Sequence, residues 1–156
     1  MTEVAIVRGT IPQDMTVEAL QMVKADEVLS NQKSILIKPN YINASHPSTG
    51  ITTDSRVIEG VIKFLRQHNL GEVIIGEGSG FADTLEAFRV AGVDTVAERW
   101  QTKTIDLNKD EFIEVTPKNP LTLKKVRIAK TALESTIISV PKLKPHRLAG
   151  VTLSLK

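Results

Sequence analysis

The chain has 156 residues, 41% of them hydrophobic and 24% charged, with a formal net charge of +2 at pH 7 and no cysteine. That length suits one domain with its own core, while the small charge and an aromatic content of 4% exclude the usual footprints of nucleic-acid or anionic-membrane binding. The lack of cysteine excludes disulfides, thiolate zinc sites, thiol nucleophiles and Cys-ligated iron–sulfur clusters within the chain. No apolar run exceeds strand length and no signal-peptide pattern opens the chain, so a cytoplasmic protein is expected.

Short β-branched runs alternate with segments of helical period, the pattern of an α/β domain. Val4-Ala5-Ile6-Val7 reads as a first strand, and a helix is expected from Asp14, as N-cap, to Ser30. A second strand, Ser34-Ile35-Leu36-Ile37, stops at Lys38-Pro39-Asn40, and a polar loop runs from Tyr41 to Thr53. Asp54 opens a helix whose apolar positions, Val57, Ile58, Val61, Ile62 and Leu65, lie on one face. Val73-Ile74-Ile75 forms the third strand and enters Gly76-Glu77-Gly78-Ser79-Gly80. A helix follows from Asp83, spaced from Glu86 as in a capping box, to Gly92, with a helical turn over Thr95 to Trp100. Residues 104–107 and 112–115 read as strands joined by a polar turn, Val126 to Ala129 as a short strand with Leu133 in a turn after it, and Thr136 to Val140 as the last full strand. The expected architecture is a single three-layer α/β sandwich over residues 1–156, with a mainly parallel sheet and an antiparallel hairpin at one edge. The closing run Val151 to Leu155 has no cap or turn after it, so the domain is expected to continue past Lys156.

Three of these strands end in loops of unusual composition, and in open α/β sheets ligands bind outside the carboxyl ends of the strands. The loop Gly76 to Gly80 offers backbone N–H groups at a helix N-terminus, so Gly78, Ser79 and Gly80 are candidates to cradle an anion. It is not a dinucleotide fingerprint, which would need glycine where Phe81 stands, nor a Walker A loop. Glu77 is a further candidate acid or metal ligand, with an exposed loop carboxylate as the plainer alternative. Lys38 and Asn40 sit at the same rim. Lysines crowd the last quarter of the chain, and Lys142, Lys144 and His146 alternate between Pro141 and Pro145. Period-two spacing in an extended, proline-framed segment turns all three side chains to one side, where a carboxylate or phosphate would relieve their mutual repulsion. His68, at a helix end, reads as structural, and His46 lacks the partners of a metal site.

Ile35-Leu36-Ile37-Lys38-Pro39-Asn40, Thr52-Thr53-Asp54, the Gly-rich loop, and Val140-Pro141-Lys142-Leu143-Lys144-Pro145-His146 followed by Gly150-Val151-Thr152 and Leu155-Lys156 resemble the domain-of-unknown-function family numbered 362. The likeness runs in order over most of the chain. It implies a domain extending beyond a lysine such as Lys156, and some longer members add a ferredoxin-like segment, which implies an acidic or iron–sulfur protein partner. The order and ten-residue spacing of His146 and Lys156, with Gly150 between, are also similar to the N-terminal domain of the lactate racemase family, which uses a nickel-pincer cofactor. That likeness implies a His/Lys pair, with Lys156 binding or covalently carrying a ligand, while the crowding of His146 by Lys142 and Lys144 makes His146 the candidate acid/base. The same family's Gly-x-His segment before a threonine-led helix has no histidine counterpart in Gly78-Ser79-Gly80 ahead of Thr84. A two-base racemase needs an acid/base on each face of the carbon, so racemisation itself is not implied.

Two functions follow as expectations. One is a protein that binds a small anionic ligand or cofactor, held by Lys38, Asn40, Lys142, Lys144 and the Gly-rich loop, with His146 and Lys156 doing the chemistry. The other is a redox-accessory or protein-binding module that docks an acidic partner such as a ferredoxin-like domain. These residues name no particular cofactor or metal.

Overall fold

The computed structural model describes residues 3–146 and 148–153. Helices α1 (Pro12–Met22) and α2 (Ala25–Leu29) lead to strand β1 (Ser34–Pro39), and α3 (Ser55–Gln67) leads to β2 (Glu72–Glu77). Helices α4 (Thr84–Ala91) and α5 (Val93–Trp100) precede β3 (Lys103–Asp106). Strands β4 (Phe112–Val115) and β5 (Val126–Ala129) pair with each other, and the short helix α6 (Lys130–Glu134) then delivers the chain to β6 (Thr136–Val140). A small hairpin, β7 (Lys144–His146) and β8 (Gly150–Thr152), closes the described part.

The main sheet has four parallel strands in the order β3-β2-β1-β6. The chain steps outward from β1 to β2 and β3, then returns past β1 to β6. Parallel crossovers are right-handed, so a reversal of direction carries the connection to the opposite face of the sheet. The packing agrees. Ile35, Ile37, Val73 and Ile75 point into a core shared with Ile58, Ile62, Phe64 and Leu65 of α3. Leu36 and Ile74 point the other way, onto Leu107 and Ala129 with Ala132 beside them. The expected α/β fold and parallel sheet are therefore present, with a third layer reduced to α6 and the start of its hairpin.

Three local expectations need correction. Residues 4–7 belong to no strand, and Val4 and Ile6 are 81% and 89% exposed. The arm lies beside β6, with Glu3 near Ile138 and Val7 near Val140, yet nothing covers its outer apolar side chains, and an uncovered apolar strand gains little by pairing. The single helix over 14–30 is broken at Lys24, whose φ of 49° is left-handed, and it begins at Pro12 with Ile11 in the cap position. Proline at the first helical position loses no hydrogen bond, which draws the start forward from Asp14. Asp14 instead pairs with Lys63 of α3 at 3.1 Å. The antiparallel hairpin exists, but as the separate β4–β5 pair rather than at an edge of the main sheet, because β3 joins β2 in parallel.

Candidate functional site

Strands β1 and β6 are neighbours in the sheet although a hundred residues separate them, and the strand order reverses between them. A crevice opens at such a point because the two flanking connections leave on opposite faces. Here both strands end on a proline-marked bend, Pro39 and Pro141, and a cleft of about 520 Å³ lies at their carboxyl ends. Lys38, Asn40, Glu77 and Ser139 supply its polar wall, while Ile42, Phe81, Ile137 and Leu153 supply the apolar one.

The chemistry centres on one ion pair. Lys38 Nζ donates to Glu77 Oε2 at 2.7 Å, with side-chain exposures of 42% and 9%. A carboxylate this buried is expensive without a cation, and the parallel register that places β2 beside β1 brings the two together. A second, longer bond runs from Lys38 Nζ to Pro39 O at 3.4 Å, so the third ammonium proton is left for the cleft. Glu77 Oε1 has no partner among the described residues and is not sealed from the cleft.

The strand ends are clamped beneath this pair by Thr53, which is buried. Its hydroxyl donates to Val140 O at 2.8 Å and accepts from Asn40 N–H at 2.9 Å, tying β1 to β6. The segment Thr52-Thr53-Asp54 stands out in the sequence only by its family resemblance, because a threonine before a helix cap carries no chemical signal of its own. Asp54 next to it does cap α3, accepting from Arg56 N–H at 2.9 Å. The hydrogen bond from the Arg56 side chain holds the Asp54 carboxyl below the usual carboxylate range, with Lys142 adding to the effect.

The Gly-rich loop walls the cleft, and the N-terminus of α4 behind it is already capped. Asp83 already caps α4, accepting from the Leu85 and Glu86 N–H groups at 3.0 and 3.1 Å, so the place an anion would take is filled. Lys109 donates to the other Asp83 oxygen at 3.0 Å, and that bond above all holds the carboxyl low. Glu86 does not complete the capping box but pairs with Arg89. Ser79 is buried, and its hydroxyl donates to Tyr41 O at 2.6 Å while Asn108 donates to its carbonyl at 2.9 Å. A Cβ on Gly78 would stand 2.7 Å from Asn108 Oδ1, so glycine allows the loop to pass that side chain. Gly78 and Gly80 line the cleft.

The lysine and histidine run does not converge. Lys142 lies in a separate hollow, with Val7, Asp54 and Val140 on the helix side of the sheet. Lys144 Nζ donates to Asn40 Oδ1 at 3.1 Å and to Ile51 O at 2.9 Å, fastening the β7 segment to the loop after β1. His146 is exposed, and its Nδ1 accepts from the N–H groups of Leu148 and Ala149 at 3.2 and 3.1 Å, closing the β7–β8 turn. The period-two expectation fails because only residues 144–146 are strand, so Lys142 falls outside the alternation. Lys156 lies outside the described residues. His68 Nδ1 donates to Phe64 O at 2.9 Å, a structural role as expected, and His46 Nδ1 faces the Ser48 hydroxyl at 2.8 Å in a short turn. Among the described residues no three His, Asp or Glu side chains gather as metal ligands would.

Tyr41 is fully buried beside the site, edge-on to Phe88 at 5.8 Å between ring centroids, and its hydroxyl has no partner among the described residues. Burial pushes the phenol well above its ordinary pKa, with Asp54 and Glu77 adding to the shift. Tyr41→Phe removes an unsatisfied buried group without changing shape, so it is expected to leave stability unchanged or raise it by up to about 1 kcal/mol in a urea titration. A loss of more than that would show that the hydroxyl has a partner.

A family model described as Domain of unknown function (DUF362) matches residues 35–156. Neither the search of curated proteins nor that of solved structures returned a match. The matched span holds β1, β2 and β6, and with them every residue of the cleft named above.

Proposed function

Because the chain belongs to the DUF362 family of domains of unknown function, we propose its role from the cleft: it binds a small molecule bearing a carboxylate or phosphate, with Lys38 holding the anionic group and Glu77 serving as the adjacent acid/base. The observation that carries this is the Lys38–Glu77 pair, a largely buried carboxylate and a half-exposed ammonium at the crossing point of the sheet. A carboxylate fixed by one cation and open at its other oxygen is a group placed to take or return a proton on whatever occupies the cleft. Lys142 and Lys144 stand outside the cleft and contribute a positive field that raises the local concentration of anions. In this reading the acid/base is Glu77 in place of His146, whose Nδ1 serves the hairpin turn.

The test is a calorimetric titration of the chain with phosphate and with simple carboxylates, repeated on Lys38→Met. Loss of a charge-assisted bond of about 2 kcal/mol is expected to weaken binding roughly 30-fold. Equal binding by Lys38→Met, or no binding by the native chain, would sink the proposal.

A second reading has its own observation. The tip between β4 and β5 presents Leu121, 104% exposed, among Lys118, Lys124 and Lys125. A basic tip around a bare apolar side chain suits an acidic protein partner, such as a ferredoxin-like domain. It calls for association that weakens with salt and is lost when Leu121 and Lys124 are replaced together.

A further inference from the structure

The cleft presents a balanced pair of charges rather than a positive one. Lys38 and Glu77 neutralise each other, and a ligand with a single carboxylate at Lys38 would bring a second negative charge beside Glu77. Two carboxylates sharing one ammonium repel, which weakens the hold on such a ligand. A ligand carrying its own cation next to its carboxylate avoids that conflict. It exchanges partners with the pair, its carboxylate meeting Lys38 Nζ and its cation meeting Glu77 Oε1.

The other wall of the cleft is apolar. Phe81 stands at the rim with 83% of its surface exposed, although an aromatic ring is costly to leave in water. Ile137, on β6 at the edge of the sheet, is 47% exposed. Leu153 closes the same wall. Between the charged and apolar ends, Ser139 lies directly across from Lys38 in the β1–β6 register, so its exposed hydroxyl can reach the same ligand group as the ammonium. The volume of about 520 Å³ falls within the range of small-molecule sites and leaves room for a large side chain.

We infer that the ligand class of this cleft is the zwitterionic α-amino acid with an apolar side chain, its carboxylate on Lys38, its ammonium on Glu77 and its side chain against Phe81 and Ile137. This rests on the carboxylate-binding reading above and specifies it. A free hydroxy or keto acid has no cation for Glu77, and glycine has no group for Phe81.

Calorimetry with the full chain separates the two levels. L-phenylalanine is expected to bind about ten-fold or more tightly than 3-phenylpropanoate, which lacks only the ammonium, and than glycine, which lacks only the side chain. Glu77→Gln is expected to remove the preference over 3-phenylpropanoate. Phe81→Ala, at an exposed position that leaves folding intact, is expected to weaken L-phenylalanine and spare glycine. If 3-phenylpropanoate binds as well as L-phenylalanine, the zwitterion inference fails and the carboxylate reading stands. If phosphate, 3-phenylpropanoate and L-phenylalanine all fail to bind, both fall.

Discussion

Gly60→Val is expected to lower the stability of the chain by about 3 kcal/mol. Helix α1 crosses α3 at this glycine. A Cβ on Gly60 would stand 2.6 Å from Thr16 Cβ and 2.7 Å from Gln13 O. The second contact is with backbone, which cannot swing aside as a flexible side chain can. Gly60→Ala sets two effects against each other, since alanine favours a helix over glycine by about 1 kcal/mol. A methyl group pressed onto a backbone carbonyl must push α1 away from α3, and overpacking of this kind costs about 1–3 kcal/mol, so a net loss is expected for alanine too. Urea unfolding of both variants reads the result, and an alanine variant as stable as the native chain would show that α1 is free to shift.

Glu59→Ala is expected to cost about 2 kcal/mol. Glu59 follows α3's outer edge with its carboxyl largely buried, accepting from Arg99 Nη1 at 2.6 Å, Gln13 Nε2 at 3.0 Å and Trp100 Nε1 at 3.1 Å. One carboxylate thus joins α1, α3 and α5. Burial pushes its pKa up, but the hydrogen bonds from Gln13, Trp100 and Arg99 outweigh burial and hold it below the ordinary 4.5. A depressed folded-state pKa means that the unfolded chain binds the proton more readily. The stabilisation is therefore complete above pH 4.5 and is lost as pH falls through the lower folded-state value. Thermal melts from pH 7 down to pH 3 should show the native chain and Glu59→Ala converging at the acid end. Curves that stay parallel throughout would mean that the network contributes shape and no charge.

Elements set by local chemistry were legible in the sequence. β1, β2 and β6 are short runs rich in β-branched residues, and Asp54 and Asp83 cap their helices as their positions implied. What escaped was decided by partners far away in the chain. Residues 4–7 have the composition of a strand but no layer to cover Val4 and Ile6. Lys142, Lys144 and His146 looked like one cluster, because alternation predicts direction only within a strand, and the chain between Val140 and Lys144 is not one. At the site itself, Lys38, Asn40, Gly78 and Gly80 were correctly placed on one rim by the rule of strand ends. The bond between Lys38 and Glu77 was not foreseen. It depends on which two strands are neighbours, and period and propensity say nothing about that.

The sheet order also sets when the cleft can exist. β1 and β2 are joined by a local crossover, whereas β6 must close a loop of about a hundred residues before its register with β1, from Ile35–Thr136 to Pro39–Val140, can form. The entropy of that closure is charged before the contacts return anything, so long-range parallel pairing is a late event in folding. The Lys38–Glu77 pair needs only β1 and β2, but Ser139, Ile137 and the Thr53 bond to Val140 need β6 as well. Any molecule that fills the cleft therefore favours the state in which β6 is docked, and its binding energy is felt by the whole domain rather than as a local stiffening at the rim.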